Sequence, residues 1–169
     1  MANANNNISL IMDDMGNPVK ALEYAHTALA LFKEVNNQYG IGSALSNIGL
    51  IWMDIDKDSS IQYTLKSIEV KTKIDDFYGL AKTHNNLAIL YRDEGEIDID
   101  KALYHFNMAL EYNKLTKSIG SYASTLFNMA NLYDLKKKDY KKAEGYTDQL
   151  EKILGANDET VLAKRISLA

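Results

Sequence analysis

The segment Asn85-Asn86-Leu87-Ala88-Ile89-Leu90-Tyr91 decides the fold, because its pattern occurs three times along the chain. In each copy a small residue stands three positions before a large aromatic residue, and the other apolar residues have helical spacing. The other two copies are Ser46-Asn47-Ile48-Gly49-Leu50-Ile51-Trp52 and Phe127-Asn128-Met129-Ala130-Asn131-Leu132-Tyr133. The sequence therefore predicts a series of similar helices.

The distance between copies indicates a repeat of two helices. Gly79 follows Gly40 by 39 positions, and Gly120 follows Gly79 by 41. A second apolar helix pattern follows each copy and also occurs once before the first. It opens at a small residue, and these residues are Ala21, Ser60, Ala102 and Ala143. Self-similarity at this period is typical of helical repeat arrays.

This pattern resembles the tetratricopeptide repeat (TPR), in its long-period variety of about 40 residues. The shared features are a small residue, then an aromatic residue, then Ala-Leu at the start of a second helix. The resemblance covers almost the whole chain. It implies an all-α fold, a right-handed α-solenoid of stacked antiparallel helix pairs with about three and a half repeats and a C-terminal capping helix. The small residues let paired helices approach and the aromatic residues fill the adjacent space.

We expect a single domain over 1–169, with repeats at about 7–39, 40–78, 79–119 and 120–154 and the capping helix at 158–168. The first helix is predicted to be partial, from about Asn7 to Asp14. The following helices are predicted at about 18–36, 40–54, 58–75, 79–94, 98–117, 120–136 and 139–154. Because the first repeat begins inside its first helix, we expect the chain to be a fragment of a longer protein.

Composition narrows the function classes. The chain of 169 residues has no cysteine, which excludes disulfides, thiolate metal sites and cysteine nucleophiles. A net charge of −4 argues against a nucleic-acid partner. No apolar run approaches the length of a membrane span, and the N-terminus lacks a secretory signal, so we expect no membrane association and a cytoplasmic location.

The resemblance also implies which residues bind a partner, because first helices line the concave surface of TPR arrays. The groove positions are Ser43, Ser46, Leu50 and Met53, then Lys82, Asn85, Ile89 and Arg92, then Ser124, Phe127, Asn131 and Asp134. The TPR subgroup that clamps a C-terminal carboxylate carries several cations and asparagines here. This chain has only the isolated Lys82 and Arg92, so the clamp is not expected.

Asparagine recurs two residues before the small position of each first helix, at Asn7, Asn47, Asn86 and Asn128. One interpretation is a ladder of amides that hydrogen-bonds the backbone of an extended peptide. The other is that each amide locks one repeat against the next. Phe127 has a similar pair of interpretations, as an apolar anchor for a ligand or as a residue buried by a neighbouring helix.

These patterns predict a non-catalytic scaffold that binds a protein or peptide on its concave surface. Two alternatives are a module that forms homodimers through Leu10, Ile11 and Met12 at the N-terminal end, and the sensory or regulatory part of a larger signalling protein. No catalytic motif, cofactor motif or metal-ligand spacing is present in the sequence. We therefore predict no enzymatic activity, no cofactor and no bound metal.

Overall fold

The computed structural model describes residues 1–93, 98–136 and 138–168, and these ranges fold into helices without strands. The helices are α1 (Ala2–Asp14), α2 (Pro18–Glu34), α3 (Gln38–Trp52), α4 (Lys57–Lys73), α5 (Phe77–Asp93), α6 (Ile99–Thr116), α7 (Ile119–Asn131), α8 (Tyr140–Leu154) and α9 (Glu159–Leu168), with a π-helical turn at Leu132–Lys136. Consecutive helices pack as pairs, and α1, α3, α5 and α7 lie side by side. The chain is a TPR-like right-handed α-solenoid, which confirms the predicted fold class.

A shared turn connects one helix pair to the next. It begins at a residue in the left-handed region, namely Asn36, Asp75 and Lys117, with φ of 51°, 54° and 53°. After Asn36 and Asp75, the side chain of the next residue caps the following helix. Asn37 Oδ1 accepts the Gly40 N–H at 3.0 Å, and Asp76 Oδ1 accepts the Gly79 N–H at 2.9 Å. These turns reverse the chain at equivalent points of the array.

Small residues mark the contact within each helix pair. The first-helix positions Ser9, Gly49, Ala88 and Ala130 and the second-helix positions Ala21, Ser60, Ala102 and Ala143 are all buried. Ser60 Oγ donates to the Gly49 carbonyl at 2.6 Å. A Cβ on Gly49 would lie 2.6 Å from Thr64 Oγ1 and 3.2 Å from its backbone nitrogen. Close approach of α3 and α4 therefore depends on glycine at this position.

Each second helix buries a stripe of side chains, and the stripe of α4 is polar. The stripes are Ala21, Ala25, Ala28 and Phe32 in α2, Ser60, Thr64, Ser67 and Lys71 in α4, and Ala102, Phe106, Ala109 and Asn113 in α6. Apolar residues form an N-terminal core around α2 and α3 and a C-terminal core that extends from Ala88 to Val161. The polar face of α4 lies between these two cores in the sequence.

Two predicted helix limits were wrong. Helix α1 begins at Ala2 rather than near Asn7, because Ala2 packs against the N-terminal core and Asn6 bonds to Asn47 of α3. These tertiary contacts offset the low helix propensity of asparagine. The helix predicted at 120–136 changes to a π-helical turn after Asn131, where Leu132 and Tyr133 are both buried.

The last helix, α9, packs on α8 and on the π-helical turn. Lys164 Nζ lies 2.6 Å from Asp134 Oδ2, and both side chains are almost completely buried. Asp134, one of the expected groove positions, is thus engaged by α9. Among the helices described, none is both apolar enough and long enough to cross a membrane.

Candidate functional site

A first recess opens between α1, α3 and α5, with a volume of about 310 Å³. Six of the predicted groove residues line it: Ser43, Ser46, Asn47, Leu50, Lys82 and Asn86. Asn6 and Leu10 contribute from α1, and Tyr39, Lys71, Asp76, Tyr78 and Gly79 complete the wall. The side-by-side packing of the first helices therefore brings these predicted residues together on one surface.

A second recess of about 480 Å³ continues from the first toward α7. Tyr78, Lys82 and Asn86 line both recesses. The second recess adds the predicted residues Asn85 and Ser124, together with Ser118, Gly120 and Ser121. We call the two recesses together the trough.

A third recess, of about 260 Å³, lies beyond α7 toward α8 and α9. The predicted residues Ser124, Phe127 and Asn128 line it, with Leu150, Leu154 and Thr160 from the last two helices. Phe127 is partly buried against the C-terminal core while it lines this recess. Phe127 therefore packs against its neighbours, as one interpretation of the sequence expected. It also lines a recess, as the other interpretation, an apolar anchor for a ligand, requires.

Two of the recurring asparagines lock neighbouring repeats together. Asn47 Nδ2 donates to Asn6 Oδ1 at 3.0 Å, and Asn128 Nδ2 donates to Asn85 Oδ1 at 3.1 Å. Arg92 Nη1 donates to Asn128 Oδ1 at 3.4 Å. These bonds join α1 to α3 and α5 to α7.

Asn86 differs from the other two asparagines. The residue equivalent to Asn6 and Asn85 in the intervening helix is Ser46, whose short hydroxyl lies 3.4 Å from Thr83 Oγ1. Within the described part of the chain, no side chain or backbone group hydrogen-bonds the Asn86 amide. It is only partly buried and lines both recesses of the trough, so its donor and acceptor can reach a ligand.

The remaining predicted residues lie at the edge of this surface. Ile89 packs against the C-terminal core, and Asn131 is partly buried. Neither residue lines any of the three recesses described above. Of the three residues predicted to form a dimer contact, Leu10 lines the first recess and Met12 packs against the N-terminal core, while Ile11 is exposed.

Lys71 is one of the trough residues that sequence reasoning missed. Only 4% of it is exposed, although it lines the first recess. Its Nζ donates to Thr83 Oγ1 at 2.7 Å and contacts the Gly79 carbonyl at 3.5 Å. Burial lowers the pKa of Lys71 to about 8, with Asp76 opposing and Lys82 adding to this change. The available signal was a lysine at the stripe position that Phe32 fills in α2.

Exposed tyrosines form the rim of the first recess. Tyr39 and Tyr78 occupy equivalent positions, directly before the recurring glycines Gly40 and Gly79, and both are about half exposed. Lys82 Nζ lies 4.6 Å from the centre of the Tyr78 ring. The rim thus offers aromatic faces and a cation beside the amides of the trough.

His84 and His105 form a separate buried pair between α5 and α6. Their Nδ1 atoms lie 2.9 Å apart, and burial lowers the pKa of each to about 4. In the parts of the chain that the structure describes, no cluster of three His, Cys, Asp or Glu residues could hold a metal ion.

Comparison with solved structures supports the fold. A crystal structure of nearly identical TPR-like repeats, from a Podosopora anserina protein described as a kinesin light chain, superposes with a TM-score of 0.77 over 98% of this chain and 82% of that chain, at 12% identity. A variant of those repeats superposes with a TM-score of 0.78 at 13% identity. The TPR resemblance of the sequence is therefore confirmed as a fold.

Sequence comparison identifies distant relatives, although no family model matches the chain. Alpha-soluble NSF attachment protein is 24% identical over 123 residues in Mus musculus and 25% identical over 123 residues in Homo sapiens. A soluble NSF attachment protein homolog of Fowlpox virus (strain NVSL) is 26% identical over 129 residues. The alignments cover 73–75% of this chain and 41–44% of those relatives, so the chain spans less than half of their length.

Proposed function

We propose that the chain is a non-catalytic scaffold whose trough binds an extended segment of a partner protein. The observation that carries the proposal is the free amide of Asn86, which lines both recesses between two repeats whose own amides are paired. An amide that can donate and accept is suited to a peptide backbone. Ser43, Lys82, Asn85 and Ser124 would supply further contacts in the trough, and Phe127 would supply one in the third recess.

Rigidity of the array supports this mechanism. The paired amides and buried small residues hold the first helices in register before a ligand arrives, so little conformational entropy is lost on binding. The relatives are named NSF attachment proteins, and attachment agrees with a binding role.

The alternatives have less support. Self-association through Leu10, Ile11 and Met12 would rest mainly on Ile11, because Met12 packs against the N-terminal core and Leu10 lines the first recess. A sensory or regulatory role in a longer protein stays a prediction, as does the cytoplasmic location.

The test is selection of a random-peptide display library on the whole chain, followed by affinity measurements on variants. Asn86→Ala should weaken the selected peptides by about fivefold to tenfold, because two hydrogen bonds are lost. Ser46→Asn should weaken them too, because the new side chain would pair with Asn86 as Asn85 pairs with Asn128.

The matched control is Asn107→Ala, which removes the same side chain from the exposed face of α6, away from the trough. It should leave affinity unchanged. Peptides whose affinity is the same for wild type, Asn86→Ala and Ser46→Asn would contradict the proposed function. Thermal unfolding of each variant checks that the array is intact.

A further inference from the structure

The floor of the first recess contains a buried cation, Lys71, and the one carboxylate that lines the recess, Asp76, does not form an ion pair with it. Lys71 forms no ion pair with any carboxylate in the described ranges, and both of its acceptors are neutral. An ammonium has three N–H groups, so one is left without a protein acceptor. Burial of an unpaired charge is costly, and an apolar residue can fill this stripe position, as Phe32 does in α2.

Neighbouring groups make this recess locally positive. Lys82 lines it beside Lys71, and the one carboxylate on its wall, Asp76, already accepts the Gly79 N–H. Two lysines and one helix-capping carboxylate thus line this recess, on a chain whose net charge is −4. The charge of the recess is opposite to that of the whole molecule, which favours an anionic ligand at this point.

We propose that the first recess binds an aspartate or glutamate side chain of the partner segment, with its carboxylate paired to the ammonium groups of Lys71 and Lys82. This inference rests on the proposed function and names the ligand chemistry at one point of the trough. Tyr39 and Tyr78 border the pair of cations and would cover the aliphatic part of the acidic side chain.

The shape of the trough favours a side-chain carboxylate over the end of a chain. The first recess reaches α1 at Asn6 and Leu10 on one side and merges with the second recess at Tyr78, Lys82 and Asn86 on the other. A segment bound across the cations can therefore continue in both directions. The segment therefore does not need to end at Lys71, and the carboxylate that binds there can belong to a side chain.

The experiment uses peptides selected on the whole wild-type chain, made with acetylated N-termini and amidated C-termini so that only side chains carry carboxylates. Each acidic peptide is paired with a copy in which Asp or Glu becomes Asn or Gln. Wild type should bind the acidic copy about tenfold or more tightly, the effect of a charge-assisted hydrogen bond. In Lys71→Met most of this preference should be lost, and the remainder should come from Lys82.

Two further variants keep the test decisive. Lys73→Met makes the same charge change on the same helix at an exposed position and should preserve the preference for the acidic copy. Lys82→Gln alters an exposed side chain, carries little risk to folding and should reduce the preference. Lys71→Met should unfold at a temperature no lower than that of wild type, because a desolvated charge is removed.

The outcomes separate the inference from the proposed function. Peptides that need Asn86 but show no acid preference, or whose preference is undiminished in Lys71→Met, would overturn the inference alone. Tighter binding of a copy with a free C-terminus than of its amidated form would overturn the side-chain assignment. A selection that yields no peptide sensitive to Asn86→Ala would overturn both proposals.

Discussion

His84 and His105 are the residues whose charge state links this array to pH. They are 5% and 9% exposed, and the rings of Tyr91, Tyr104 and Tyr112 surround the pair. In a bond between two Nδ1 atoms one ring must donate and the other accept, so the contact requires that at least one imidazole is neutral. Protonation of both rings would place two donors against each other in a buried site.

Stability should therefore fall as the pH decreases from 6.5 toward 4. The pKa of each histidine is lowered to about 4 in the folded state, so the unfolded chain binds more protons within this window. Above pH 6.5 the neutral histidines make their full contribution to the free energy of unfolding. Below pH 4 this contribution has been lost and no longer changes with pH. Each histidine contributes on the order of 3 kcal/mol at most. Urea titrations at several pH values measure the effect.

Double replacement, His84→Gln with His105→Gln, should flatten the profile between pH 4 and pH 6.5. His26→Gln, at an exposed position of α2, should leave its shape unchanged. The lowered pKa values of Asp56 and Asp98 confine the titration of these capping carboxylates to lower pH. A wild-type profile that is level across the window would contradict a neutral buried pair.

Individual positions also show which features of the site could be predicted from the sequence. The small and aromatic positions predicted the pairing of helices, since Gly49 and Ala88 owe their identity to local contact distance. The amide pairs and the recess at Lys71 depend on which first helices become neighbours. Lys71 belongs to a second helix, and its aliphatic chain reaches the trough past Gly42. A Cβ on Gly42 would lie only 3.0 Å from Lys71 Cγ, so glycine leaves room for the lysine.

At the scale of the helix, the π-helical turn and α9 form one structural unit. Tyr133 of the turn stacks on Tyr146 of α8 at 5.6 Å, and Asp134 pairs with Lys164 of α9. The wider π-helical turn allows three consecutive residues, Leu132, Tyr133 and Asp134, to make inward contacts. Sequence periodicity predicted α9 as a capping helix, but the ion pair that fixes it joins residues 30 positions apart.

Breaking the buried pair of α9 should destabilise the array far more than breaking its exposed pairs. Lys164→Met leaves the almost buried carboxylate of Asp134 unpaired and should cost about 3–5 kcal/mol. Arg165→Gln removes contacts to Asp148 and Glu151 at a side chain that is 36% exposed, and should cost about 1 kcal/mol or less. Equilibrium denaturation in urea compares the two.

A double variant, Lys164→Met with Asp134→Leu, provides the control for this comparison. It removes both charges and should regain a large part of the lost free energy of unfolding. Equal destabilisation by Lys164→Met and Arg165→Gln would show that the buried pair does not hold α9 in place.

At the scale of the whole molecule, the polar stripe of α4 weakens the link between the two cores. The buried face of α4 carries Ser60, Thr64, Ser67 and Lys71, and the two serines hydrogen-bond to the backbone of α3. The stability of a repeat array is approximately the sum of each repeat and its interfaces. An interface built from hydroxyls and an ammonium contributes less apolar burial than its neighbours.

The array should consequently unfold in two steps, with the N-terminal core first. Among the described residues, the N-terminal core buries six larger apolar side chains beside its four alanines, whereas the C-terminal core buries eight beside its four. Trp52, the single tryptophan, packs against the N-terminal core, so its fluorescence should change at a lower urea concentration than the far-ultraviolet circular dichroism. Lys71→Met should bring the two transitions closer, while the exposed Lys73→Met should not. Coincident transitions in wild type would mean that hydroxyl contacts couple the repeats as strongly as apolar packing does.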